Sequence, residues 1–122
     1  MSAEPKVYHA IRSVKASIDP DARDEYLGQV KAFAQAFGFN VRFSQTSPYP
    51  NDIMTHMERH DVWMTGGPVS KLGAPDLAYE FAFYAHANRP VSAAALDPVV
   101  DGLRNFLGQI KGAVVTETTP SN

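Results

Sequence analysis

The sequence predicts an α+β two-layer sandwich, with two helices packed on one face of a mainly antiparallel sheet of four or five strands. Three observations lead there. Tyr26, Leu27, Val30, Phe33, Ala34 and Phe37 recur at the spacing of one helix face. Leu96, Val99, Val100, Leu103, Phe106, Leu107 and Ile110 do the same further on. Between them lies a block of β-favouring residues. A helix with one apolar stripe must bury it, and the intervening sheet is the surface on offer. The predicted order is β-α-β-(β-β)-β-α, with a ferredoxin-like arrangement as the nearest topological analogy.

Each element has its own signals. Val7, Tyr8, Ile11 and Val14 mark a first strand over residues 7–15. Asp19 then supplies an N-cap and Pro20 suits a first helical turn. The acids Asp21, Asp24 and Glu25 favour the positive end of the helix dipole. The helix should run to Phe37, where Gly38 can adopt a left-handed C-terminal conformation. Val41 and Phe43 alternate with Arg42 and Ser44, a half-buried strand over residues 39–44.

Pro48, Pro50 and Asn51 break regular structure over residues 45–52. Residues 53–65 fit a hairpin turning near His60 and Asp61, with a short helical stripe of Ile53, Met57 and His60 as the competing reading. Gly66-Gly67-Pro68 and Gly73-Ala74-Pro75 read as loop punctuation. Over residues 77–86, Tyr79, Phe81 and Phe83 alternate with Glu80, Ala82 and Tyr84 in the clearest strand of the chain. The second helix should begin near Ser92 or Asp97-Pro98 and end near Lys111-Gly112, with an edge strand reaching Val115. Residues 1–115 are expected to form one domain, with residues 116–122 as a flexible tail.

Composition narrows the function classes. A chain of 122 residues with 44% apolar and 20% charged residues is globular in character and needs neither metal nor disulfide to fold. Its net charge of −2 comes from 11 basic and 13 acidic residues without a basic stripe, so nucleic acid is not an expected partner. There is no cysteine, which removes disulfides and thiolate chemistry. No apolar run approaches the roughly 20 residues of a membrane span. Residues 1–6 are polar without an apolar segment behind them, so the expected compartment is the cytoplasm.

The chemical motifs are weak. His56 and His60 are four apart, as in a zinc-binding helix, but Met57 holds the place of the glutamate that such a site needs. On a strand, moreover, the two would stand roughly 13 Å apart. The segment from Gly66 to Lys71 has the composition of a phosphate loop without its pattern, since Leu72 follows the lysine. No G-x-S-x-G elbow occurs. Asp97 and Asp101 read as solvating charges on the outer side of the second helix. No residue is assigned a catalytic role, and neither a cofactor nor a metal is expected.

The sheet face turned away from the helices is the best candidate site. If Tyr79, Phe81 and Phe83 point toward the helices, Glu80, Ala82, Tyr84 and His86 point away. The same phase brings Arg42, Ser44, His56, Glu58 and Trp63 onto that face. Arg42, His56, Trp63, Tyr84 and His86 together have the composition of a contact surface. The expected function is therefore non-enzymatic binding through the open face, either to a second copy as a homodimer or to another protein. The alternative is a small enzyme or ligand-binding protein with a His/Arg-lined pocket near loops 45–52 and 66–75. It requires two or more of His9, His56, His60 and His86 to converge, with Arg42 or Arg59 holding an anion.

Overall fold

A computed structural model describes residues 10–45, 53–69, 77–86 and 90–118. The chain runs β1 (Arg12–Ile18), α1 (Arg23–Phe37), β2 (Asn40–Gln45), β3 (Ile53–Glu58), β4 (Val62–Pro68), β5 (Leu77–Ala85), α2 (Asp97–Gly108) and β6 (Val114–Thr118). Short 3-10 turns at Pro20–Ala22 and Ala94–Leu96 lead into the two helices.

Local chemistry sets the helix boundaries. The Asp19 carboxylate accepts from the Asp21 backbone N–H at 3.0 Å, satisfying a donor that the helical turn leaves free. At the other end of α1, Gly38 has φ 75° and its N–H reaches the Ala34 carbonyl. Glycine suits that position because a Cβ is disfavoured in the left-handed region. Along β1, Val14, Ala16 and Ile18 form the buried row, which carries the strand to Ile18 rather than ending it at Lys15.

The fold class is α+β, but the sheet has six strands in the order β2-β3-β4-β5-β1-β6, and every neighbouring pair is antiparallel. This differs from the predicted four or five strands and from a ferredoxin-like order. Strands β2 to β5 pair successively with their sequence neighbours, and β5 then returns beside β1. That meander separates β1 from β2 by three strands. The sixth strand comes from the C-terminal segment, where Thr116, Glu117 and Thr118 pair in the β1–β6 ladder instead of starting a tail. Glu117 is anchored there because both its oxygens accept from the Arg12 guanidinium at 2.7 Å.

Gly66, Gly67 and Pro68 also correct the predicted layout, since they continue β4 instead of ending it. Gly66 lies opposite Phe81 in the ladder. A Cβ at Gly66 would stand 2.5 Å from the Phe81 ring, and at Gly67 one would stand 2.5 Å from the Met54 sulfur. Both glycines are therefore close-approach positions within a strand. The segment at residues 53–60 is strand followed by turn, so the hairpin reading holds and the helical one does not.

Both helices cover the same side of the sheet. Tyr26 of α1 stacks on Tyr79 of β5 with ring centroids 4.4 Å apart and is tilted against Phe81 at 6.3 Å. Its hydroxyl lies 3.5 Å from the Thr55 hydroxyl of β3, and burial pushes the phenol pKa upward. Phe33 of α1 meets Phe39 and, edge-on, Phe106 of α2. Val99, Val100, Leu103 and Leu107 complete the buried stripe of α2. Phe81 and Phe83 are fully buried in this layer.

Gly66→Ala should therefore destabilise the fold by about 1–3 kcal/mol, because the enclosed Phe81 ring has no room to retreat. Urea denaturation will show a lower midpoint at unchanged slope. An unchanged midpoint would contradict the close approach of the Phe81 ring to Gly66.

Candidate interaction surface

The ladder registers define what stands on the opposite face. One row crosses the sheet through Arg42, His56, Thr65, Ala82 and Ser13, each opposite the next on the neighbouring strand. The adjacent row contains Asn40, Glu58, Trp63 and Tyr84. A third contains Ser44, Met54, Gly67, Glu80 and Lys15. The assignment is fixed by Tyr79, Phe81 and Phe83, which are buried under the helices, so the even-numbered residues of β5 face away.

Aromatic side chains dominate the centre of this face. Trp63 and Tyr84, opposite each other on β4 and β5, stack at 4.2 Å with planes 15° apart. His56 of β3 lies diagonal to Trp63, ring centroids 6.2 Å apart. All three are half-buried, Arg42 and Glu58 are exposed, and Ser13 is buried at 2% exposure. The surface is thus a rigid aromatic ridge over β3, β4 and β5, with Arg42 and Glu58 exposed beside it and the Lys15–Glu80 pair further along the same face. Cross-strand stacking of this kind contributes about 0.5–1.5 kcal/mol beyond burial, so the ridge is held in place rather than mobile.

Of the five residues predicted for the surface, His56, Trp63 and Tyr84 are brought together and Arg42 stands beside His56 on the edge strand. His86 has another place. It lies just beyond β5, and its Nε2 is 2.9 Å from the Arg59 carbonyl in the β3–β4 turn. That turn is itself clamped to α1. Arg59 donates to both oxygens of Asp61 at 2.6 and 2.9 Å and to the Phe37 carbonyl at 2.9 Å. Its guanidinium carbon also sits 4.8 Å from the Phe39 ring centre. Arg59 therefore caps the C-terminus of α1, with its guanidinium engaged by the Asp61 carboxylate. The hydrogen bond from Arg59 holds the Asp61 carboxyl below the usual carboxylate range, against the opposing effect of burial.

A second clamp joins β1 to the start of α2 and to β6. Besides Glu117, the Arg12 guanidinium donates to Asp97 at 2.6 Å and to the Ala93 carbonyl at 2.8 Å. Asp97 is thus an ion-pair partner, not merely a solvating charge. The Glu117 carboxyl is held low by its hydrogen bond from Arg12. The Arg12 clamp has no local sequence signal, because its partners lie 81 to 105 residues away.

The alternative pocket falls largely outside the described residues, which omit residues 46–52 and 70–76 and also His9. At its described margin, a cavity of about 180 Å³ is lined by Arg23, Leu27, Phe43, Ser44, Gln45 and Ile53, with no histidine among them. His60 is exposed in the turn, while His56 and His86 are engaged with Trp63 and the Arg59 carbonyl. Among the described residues, no three His, Asp or Glu side chains gather as a metal site, and no helix is long and apolar enough to cross a membrane. No protein-family model matches the sequence, and no curated protein is significantly similar to it.

The clamp gives a pH dependence of definite sign. A carboxyl whose folded pKa is depressed adds stability above its unfolded pKa of about 4, and that stability is lost as pH falls through the lower folded value. Denaturation midpoints should therefore fall on acidification below pH about 4, and Asp61→Asn should reduce that slope. An identical pH profile for the variant would show that Asp61 does not contribute.

Proposed function

We propose that this chain is a non-enzymatic interaction protein whose open sheet face contacts another polypeptide, either a second copy or a different protein. The observation that carries the reading is the Trp63–Tyr84 stack with His56 beside it, half-exposed on the side away from both helices. Aromatic groups held rigidly lose little conformational entropy on binding, and Trp and Tyr are enriched where protein surfaces meet. Arg42 and Glu58 at the margin supply charge of both signs for orientation.

Trp63 is the only tryptophan in the chain, so its fluorescence reports on this face alone. When the face is covered, acrylamide quenching should decrease and the emission should move to shorter wavelength. A concentration series with light scattering tests the second-copy version. Trp63→Ala combined with Tyr84→Ala should abolish any mass increase that accompanies the change in quenching, with the circular dichroism unaltered. A mass that the double variant leaves unchanged, together with concentration-independent quenching, would remove the face from self-association. Loss of a captured partner on the same double variant would then test the other version.

A further inference from the structure

The chain has four methionines and no cysteine, so thioether sulfur is its softest nucleophile. Their surroundings differ. Met57 of β3 and Met64 of β4 are fully buried beneath the helices, at 0% exposure. Met54, in the opposite phase of β3, is 38% exposed on the open face. Met1 lies outside the described residues.

Met54 is also held in place. Its thioether lies across Gly67 of β4, where an added Cβ would stand 2.5 Å from the sulfur and 2.8 Å from the methyl carbon. The missing side chain of Gly67 is thus the seat of the Met54 tip, and one flank of the sulfur rests on the strand. Neither helix covers this side of the sheet. His56, two residues along β3 on the same face, links Met54 to the aromatic ridge through its contact with Trp63.

We propose that Met54 is a reversible oxidation site through which a hydroperoxide weakens contact at the open face. The Sδ lone pair attacks one peroxide oxygen, an S–O bond forms and the O–O bond breaks. The other oxygen takes up a proton and leaves as water or an alcohol. Sulfur is oxidised by two electrons and the peroxide is reduced by the same two. A thiol-dependent methionine sulfoxide reductase restores the thioether, two thiols becoming a disulfide as the oxygen leaves in water.

Selectivity for Met54 stands on its own exposure, whereas the effect on contact rests on the reading of this face as an interaction surface. Sδ and the methyl group already fill the seat at Gly67, so the added oxygen turns the side chain outward. A soft apolar group becomes a polar one, and a partner closing over it must strip water from the sulfoxide oxygen. The fold survives because the two core methionines are shielded from the oxidant.

The test treats the full chain with hydrogen peroxide and follows each methionine by peptide mass mapping, with the Met1 peptide scored apart. In the native protein Met54 should oxidise about tenfold faster or more than Met57 and Met64, and in urea the three rates should converge. The chain itself is the probe for contact, read by Trp63 quenching and light scattering over a concentration series. Association should weaken about tenfold after oxidation and return on enzymatic reduction, with circular dichroism constant throughout. Met54→Leu should associate as the parent does and ignore peroxide, while Met54→Gln should associate weakly without it.

Oxidation of Met57 or Met64 as fast as Met54 in the folded protein would overturn the site. Selective oxidation that leaves association unchanged, or that weakens Met54→Leu equally, would overturn its effect. A parent that stays monomeric at every concentration would remove self-association through this face and the predicted effect with it, and the peptide map would then decide the modification site alone.

Discussion

The stack of Tyr26 on Tyr79, with Phe81 tilted beside it, fixes the side of the sheet that α1 covers. Phe33 then carries the contact to Phe106, so α2 is drawn to the same side. Burial of an aromatic side chain is worth several times the net contribution of a single hydrogen bond. These rings therefore dominate the choice of side, and the rest of the sheet must accommodate them. Gly66 is the clearest case, because the space a side chain would take there is filled by the Phe81 ring. Covering one side with both helices leaves the other to Trp63, Tyr84 and His56.

Two arginine clamps hold this layer closed at different places. Arg59 ties the β3–β4 turn to the end of α1, and His86 in turn holds the Arg59 carbonyl. Arg12 ties β1 to the start of α2 and to β6. Both guanidiniums are mostly buried, at 14% and 19% side-chain exposure, and both face carboxylates with short, well-directed contacts. That geometry separates them from exposed ion pairs, whose contribution is commonly negligible. The Arg12 clamp has a further structural effect. By anchoring Glu117 it converts a C-terminal segment into an outer strand, and so creates an edge beside α2.

Features governed by near neighbours were legible in the sequence, and features governed by distant partners were not. The stripes of α1 and α2 follow from a 3.6-residue period, and Gly38 from the conformation that ends a helix. Tyr79, Phe81 and Phe83 showed their common side by simple alternation, which also placed Tyr84 and Trp63 opposite. The hairpin at residues 53–65 was visible for the same reason. Gly66-Gly67-Pro68 carried the local chemistry of a turn, yet the Phe81 and Met54 side chains explain those glycines, and both lie across the sheet. Strand order was equally hidden, since nothing local states that β5 returns to β1. His86 shared the phase of Tyr84 but lies beyond the strand, where a carbonyl on the neighbouring turn captures its ring. The role of Glu117 depends on Arg12, 105 residues away, and no pattern within a window of ten could reveal it.

The one-sided arrangement can be measured directly because the chain has no native cysteine. Single cysteines placed in turn at positions 53 to 58 of β3 would report which way each side chain points, through their rates of reaction with a small thiol reagent. Cysteines replacing Met54, His56 and Glu58 should react readily, while those replacing Ile53, Thr55 and Met57 should react only as fast as the protein unfolds. Uniform reactivity along the strand, or an alternation of the opposite phase, would contradict a sheet covered on one side by both helices.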